Sequence, residues 1–218
     1  MRLNDIVVCM DKLNLKSRPK QKLNQMPEIK PAKGRAYIPE KKSKKVVDLP
    51  VKIFVIGFMG SGKTHWGKIW AAKSDVTFFD LDAKIEKAFR MSITGIFEKK
   101  GEGKFRELER YHLRKFENKK NFLLACGGGT PCFSDNMEWM KAQGKVFYLK
   151  AESEILLQQV MHETEKRPVI KKVNPSELLF FIQKKLGERE PYYSQADFIL
   201  NVEELNENSL SLLLSETK

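Results

Sequence analysis

The sequence predicts an α/β fold of three layers, a five-stranded parallel sheet covered by helices on both faces. Two observations carry this expectation. From residue 49 onward, apolar runs of strand length alternate with stretches of helical pattern, and such alternation builds parallel sheets with crossover helices. The first of these runs leads directly into Gly57-Phe58-Met59-Gly60-Ser61-Gly62-Lys63-Thr64, and ligands of parallel sheets bind beyond the carboxyl ends of the strands.

The elements follow in chain order. Residues 1–48 are rich in Lys, Pro, Asn and Gln, with a cluster Lys41-Lys42-Ser43-Lys44-Lys45 and a single aromatic residue, Tyr37. That composition cannot bury enough apolar surface to offset ordering entropy, so it predicts a disordered basic extension. The domain proper spans 49–218. Its strands are expected at Lys52–Ile56, Val76–Phe79, Phe122–Cys126, Val146–Leu149 and Phe198–Leu200. Helical spacing predicts helices at Thr64–Lys73, Ala83–Arg90, Phe105–Glu117, Asp135–Gln143, Ser153–His162, Pro175–Leu186 and Glu204–Leu214. A chain of 218 residues accommodates one such domain and not two large ones.

Gly57 to Thr64 matches the phosphate-binding pattern G-x-x-x-x-G-K-[ST] in its required strand–loop–helix context. Its backbone N–H groups can cradle phosphate oxygens, helped by the partial positive charge at the helix start. Lys63 would reach the outer phosphates and the Thr64 hydroxyl would hold Mg²⁺. Such a loop implies a nucleoside triphosphate.

Further candidates cluster at strand ends. Asp80 and Asp82 follow the second strand, where one acid can serve Mg²⁺ through water while the other faces an acceptor hydroxyl. Helix capping is the plainer role for an Asp there. Arg106, read as lying at a helix start after a Gly101–Gly103 turn, sits against the helix dipole, which suggests an anion to bind; Glu109 is close enough to orient it. Gly127-Gly128-Gly129 leaves backbone on which a ligand can lie. Arg167-Pro168 falls in a charged connection at 162–172 that could act as a short lid. Arg189 opens the segment Arg189-Glu190-Pro191-Tyr192-Tyr193.

Composition narrows the alternatives. The net charge is +12, but the first fifty residues hold 13 Lys/Arg against 5 Asp/Glu and so carry most of the excess. The basic character therefore belongs to the extension and predicts no specific nucleic-acid partner. Three unpaired cysteines, Cys9, Cys126 and Cys132, suit a reducing, cytoplasmic setting, and no second pair completes a zinc site. No stretch approaches the roughly 18 apolar residues of a membrane span, and the first ten residues do not read as a secretory signal.

Taken in order, these motifs resemble shikimate kinase over about residues 51–203. They are the G-x-M-G-x-G-K-[ST] loop at 57–64, Phe79 to Asp82, Ile96-Phe97 with Gly101 to Glu109, Gly127 to Gly129, Arg167-Pro168, and Arg189 to Asp197. The resemblance implies a P-loop, nucleoside-monophosphate-kinase-like fold and transfer of the ATP γ-phosphate to the 3-hydroxyl of shikimate, with Mg²⁺. It implies that Asp82, Arg106, Gly127, Gly128, Gly129 and Arg189 bind shikimate, with Asp82 also the base, and that Phe97 and Phe105 line the ring pocket. ATP would meet Gly60, Ser61, Gly62, Lys63, Thr64, His65 and Arg167, with Lys63 and Arg167 catalytic. Metal would be held by Thr64 and, through water, by Asp80. A monomer is expected. Two features depart from the family pattern: the extension, and a lid in which Lys166 is the only cation near the Arg-Pro pair. Rival readings are a gluconate kinase of the same fold, a nucleic-acid module driven by the basic segment, and a non-catalytic nucleotide sensor.

Overall fold

The computed structural model describes residues 51–164 and 175–216. The basic segment 1–48 lies outside the described residues, as do Lys166, Arg167 and Pro168 with most of the expected lid. The strands are β1 (Lys52–Ile56), β2 (Thr77–Asp80), β3 (Phe122–Ala125), β4 (Lys145–Lys150) and β5 (Phe198–Asn201). All pair in parallel, in the spatial order β2-β3-β1-β4-β5. The helices are α1 (Lys63–Lys73), α2 (Leu81–Phe89), α3 (Ile93–Arg114), α4 (Asn136–Gln143), α5 (Ser153–Thr164), α6 (Pro175–Tyr193) and α7 (Ser209–Glu216).

Strand alternation divides the core into two layers. Ile53 and Val55 of β1 share one face with Leu123, Phe147 and Leu149, packed against Trp70 and Ala71 of α1 and Leu210 of α7. Phe54 and Ile56 point the other way, with Phe122, Leu124 and Tyr148, beneath α2 to α6. Both faces of β1 are closed to water, so its run of apolar residues is continuous rather than alternating. The three-layer α/β expectation is met, and the order of strands places the end of β1 between β3 and β4, where the phosphate loop emerges.

Local boundaries differ for identifiable reasons. The helix expected at Phe105–Glu117 is the second part of a longer element that begins at Ile93, where the Ser92 hydroxyl accepts from the Gly95 N–H (3.1 Å). At Gly101 (φ 76°, ψ 168°) the backbone leaves helical geometry, so the element consists of two helical segments, 93–100 and 102–114, meeting at a kink. Arg106 therefore lies about one turn into the second segment, near its start as expected, and Glu102 and Glu109 answer its charge. The α6 helix continues past Leu186 through Pro191 to Tyr193. The expected Glu204–Leu214 helix is a 3₁₀ turn, Val202–Glu204, followed by α7. Among the described residues no helix is long and apolar enough to cross a membrane.

The α1 helix, which carries the phosphate-loop lysine, lies close on the sheet at Gly67. A Cβ there would stand 2.7 Å from Phe78 Cε2 and 3.0 Å from Leu123 Cδ2. Gly67→Ala is expected to lower stability by about 1–3 kcal/mol through overpacking, despite alanine's better helix propensity. Urea unfolding checks this; a stabilised variant would show that α1 can lift off the sheet without cost.

Candidate active site

The loop after β1 turns on glycines with positive φ, and Gly62 (φ 81°) ends it as the left-handed N-cap of α1. Lys63 begins that helix and folds its side chain back, so that Nζ donates to the carbonyls of Gly57 (2.9 Å) and Phe58 (2.7 Å). Burial pushes its pKa down to about 8, against the pull of Asp82 and Asp80 in the other direction. The ammonium thus sits in the curl of the loop on two neutral acceptors, which a phosphate oxygen can replace with a charged one. Ser61 Oγ is buried in the same loop without a hydrogen-bond partner.

Thr64 Oγ1 donates to Asp80 Oδ2 (2.8 Å), while Asp80 Oδ1 accepts from the Ala83 N–H (3.1 Å). Asp80 therefore caps α2 with one oxygen and faces the phosphate loop with the other. With its proton committed to Asp80, the Thr64 oxygen keeps lone pairs for a cation. Hard oxygen donors beside a phosphate cradle fit Mg²⁺, which typically takes one or two protein oxygens plus phosphates and water. No group of three or more His, Cys, Asp or Glu among the described residues could hold a metal.

Asp82, in the first turn of α2, points at the triple-glycine turn, and its Oδ1 is buried without a hydrogen-bond partner. Burial first, then Glu109 and Asp80, raise its pKa to about 6, while Lys63 opposes the rise. A carboxylate poised near neutrality suits proton acceptance from an alcohol.

Arg106 is held from two sides of α3: Nη1 donates to Glu109 Oε2 (2.8 Å) and Nη2 to Glu102 Oε1 (3.1 Å). Its guanidinium carbon lies 3.9 Å from the Phe133 ring centroid. Glu109 is 1% exposed, which excludes an ordinary surface ion pair. Its other oxygen, Oε1, accepts from Thr130 Oγ1 (2.6 Å).

The three glycines explain how these groups converge. A Cβ at Gly129 would lie 2.7 Å from both terminal nitrogens of Arg106, and one at Gly127 would lie 2.8 Å from Asp82 and 2.9 Å from Glu109. At Gly128 the neighbour is Arg189 Nη1, at 3.2 Å. The turn thus accommodates the chain's own functional side chains against its backbone, a role beyond the ligand contact expected from sequence.

Arg189 projects from α6, whose end is fastened to the sheet: the Tyr148 hydroxyl donates to Glu190 Oε2 (2.8 Å), and the Tyr193 hydroxyl donates to the Gly128 carbonyl. Among the described residues Arg189 forms no ion pair with a carboxylate. A cleft of about 280 Å³ runs between the loop residues Phe58 and Met59 and the residues Phe97, Arg106 and Arg189. Its size and paired arginines suit a compact anion with an apolar face.

Two candidates sit elsewhere. Phe105 is 3% exposed and lies behind Phe97, with ring centroids 4.5 Å apart, so it backs the cleft rather than lining it. His65 is exposed on α1, edge-on to Trp66. Arg167 lies outside the described residues. Residues given no role of their own from the sequence are Glu102, Thr130, Phe133, Tyr148, Glu190 and Tyr193. Glu102 was within reach of the i,i+4 rule; the others meet the site across long separations.

The family described as shikimate kinase matches residues 59–217. The shikimate kinase of Bacteroides thetaiotaomicron is 40% identical over 157 residues, 72% of this chain and 90% of the relative. That of Thermodesulfovibrio yellowstonii is 39% identical over 153 residues, 70% of this chain and 86% of the relative. Among solved structures, the B. thetaiotaomicron shikimate kinase superposes with a TM-score of 0.71 at 38% identity, covering 78% of this chain and 98% of that one. A shikimate kinase from Acinetobacter baumannii, solved in complex with shikimate, gives 0.66 at 33% identity, covering 77% and 94%.

The site's electrostatics have a stability consequence. Asp82 rises from 3.8 to about 6 on folding, so between those values the native state binds more protons than the unfolded state. Stability from this group therefore falls as pH rises through that window. Asp82→Asn removes the buried charge and is expected to raise stability by about 1–3 kcal/mol near pH 8, with the gain fading towards pH 4. Urea melts at the two pH values measure it; a loss of stability at the higher pH would mean that Lys63 more than compensates the burial of Asp82.

Proposed function

The chain belongs to the shikimate kinase family, and we propose that it performs the family's reaction with the residues of this cleft. It phosphorylates shikimate on the chorismate route to the aromatic amino acids, with ATP as the donor. The observation that carries the residue assignment is a cleft in which the phosphate-loop residues Phe58 and Met59 share the walls with Arg106 and Arg189.

In this reading the carboxylate of shikimate enters between Arg189, which has no carboxylate partner among the described residues, and Arg106. The ring lies against Phe97, supported from behind by Phe105. The hydroxyls meet Asp82 and the Gly127–Gly129 backbone. Residues 60–65 hold ATP, and Lys63 exchanges the Gly57 and Phe58 carbonyls for phosphate oxygens. Asp82 takes the proton of the 3-hydroxyl as that oxygen bonds to the γ-phosphorus; the bond from phosphorus to the β,γ-bridging oxygen breaks and ADP leaves. Mg²⁺, held by Thr64 and through water by Asp80, supplies neutralisation of phosphate charge when bound. Arg167, from the lid, completes the clamp on the phosphates. We further assign a monomer, and a cytoplasmic setting on the cysteine usage. The gluconate reading is disfavoured because the relatives at 40% and 39% identity are shikimate kinases.

A coupled ADP-release assay across shikimate, gluconate and nucleoside monophosphates is the direct test. Shikimate alone should stimulate release, and Lys63→Ala should cost about 3–5 kcal/mol of transition-state stabilisation. Arg189→Lys keeps the charge but loses the planar match to a carboxylate. It should weaken shikimate binding roughly ten- to a hundredfold, with ATP affinity little altered. Stimulation by gluconate in place of shikimate would overturn the substrate assignment.

The pH profile follows from the two shifted groups. Asp82 must be deprotonated and Lys63 protonated, so kcat/KM should form a bell with an acid limb near 6 and an alkaline limb near 8. A profile flat down to about pH 5 would remove Asp82 from the role of base.

A further inference from the structure

Thr130 follows the triple glycine directly and is completely buried on a 3₁₀ turn, Thr130–Cys132. Every polar group it owns is engaged. Its N–H donates to the Gly127 carbonyl (3.0 Å), its carbonyl accepts from Asn136 Nδ2 (3.0 Å), and its hydroxyl donates to Glu109 Oε1 (2.6 Å). Asn136, at the start of α4, is itself 1% exposed. The hydroxyl is therefore held by a clamped backbone and has no freedom to follow Glu109 if that side chain moves.

We propose that Thr130 is a positioning residue for substrate recognition: its hydroxyl fixes the carboxylate of Glu109, and Glu109 in turn fixes the guanidinium of Arg106 in the cleft. The inference rests on the reading of the cleft as the shikimate site. It adds a residue to which neither the motif pattern nor the cleft wall points, since Thr130 does not reach the cavity.

The geometry gives each oxygen of Glu109 a single task. Oε2 takes Nη1 of Arg106, and Oε1 takes Thr130. With only one oxygen engaged, the carboxylate meets a single terminal nitrogen of the guanidinium, while Nη2 donates to Glu102 and Nε stays buried without a partner. Removing the Thr130 hydroxyl frees Oε1 in a dry site. The carboxylate then gains most by rotating onto Arg106 with both oxygens, because a buried acceptor without a donor is costly and a two-pronged contact with arginine is strong. Rotation in the opposite sense is opposed by Asp82, which shares the space beside Gly127 with Glu109. A two-pronged contact would draw the guanidinium away from the cleft. Little movement is needed, because it already rests against the backbone of Gly129, the residue next to Thr130.

The test is calorimetric binding of shikimate and of ATP to the full chain, for wild type, Thr130→Val, Thr130→Ser, Arg106→Lys and the Thr130→Val/Arg106→Lys double variant. Valine keeps the branched shape and removes the donor; serine restores the donor. Thr130→Val should weaken shikimate binding roughly tenfold and ATP binding less than about twofold, with Thr130→Ser within about threefold of wild type. In the Arg106→Lys background the valine change should add less than about twofold, because the two act through one contact. Thr130→Ala takes the place of valine if the valine variant does not fold. A shikimate affinity within about twofold of wild type, equal losses for both ligands, or full additivity with Arg106→Lys would each overturn the proposal. Wild-type protein that binds no shikimate would instead overturn the functional reading on which it stands.

Discussion

A carboxylate with almost no access to water, Glu109, is the constraint around which the cleft is arranged. An ionised acid so deeply placed costs several kcal/mol unless it is paired and its oxygens are satisfied. Arg106 supplies the countercharge and Thr130 the second hydrogen bond. Both partners require a backbone that side chains can approach closely, which is what the Gly127–Gly129 turn offers. The turn, the buried acid and the arginine are one device, and none is intelligible without the others. The same burial acts on Asp82, where loss of water and the charge of Glu109 push in one direction and Lys63 pushes back. The shifts of Asp82 and Lys63 towards neutral pH thus have a common origin, in that charges are gathered where water is excluded.

Much of this was legible in the sequence because it is local. Each strand is a short apolar run, and the phosphate loop and Asp80–Asp82 follow strand ends within a few residues. The pairing of Arg106 with Glu109 was open to inspection from their spacing on one helix. The first part of α3 was not, because Gly101 and Gly103 look like a turn. Gly101 does interrupt the helical path, in open space with nothing within 4 Å of where a Cβ would stand, but helix resumes at once through Gly103. Its neighbours Ile93, Ile96 and Phe97 keep helical spacing, and Ser92 caps them, but the pattern is too short to outweigh two glycines.

What stayed hidden is non-local. Thr130 and Glu109 are 21 positions apart, Tyr148 and Glu190 are 42 apart, and Tyr193 and Gly128 are 65 apart. No periodicity encodes such pairs; they arise because the parallel sheet brings the ends of β3 and β4 beside the end of α6. Phe105 shows the converse. The family resemblance implied that it lines the ring pocket beside Arg106, yet successive residues on a helix point in different directions, and Phe105 packs into the core while Arg106 faces the cleft.

Arg189 presents the other side of the problem that Glu109 poses. Its guanidinium faces the cleft over Phe58 with no carboxylate partner among the described residues. An arginine left in this way contributes little to folding, whereas a glutamate introduced beside it could stabilise the fold and would occupy the place of an anionic ligand. The chain instead secures the helix just after Arg189, through Glu190 to Tyr148 and through Tyr193 to Gly128. Both tethers lie within four residues of the arginine, so the backbone beside it is fixed while its charge meets no carboxylate among the described residues. Rigidity from the neighbours and an open charge at the centre is the arrangement expected of a group whose partner arrives only with substrate.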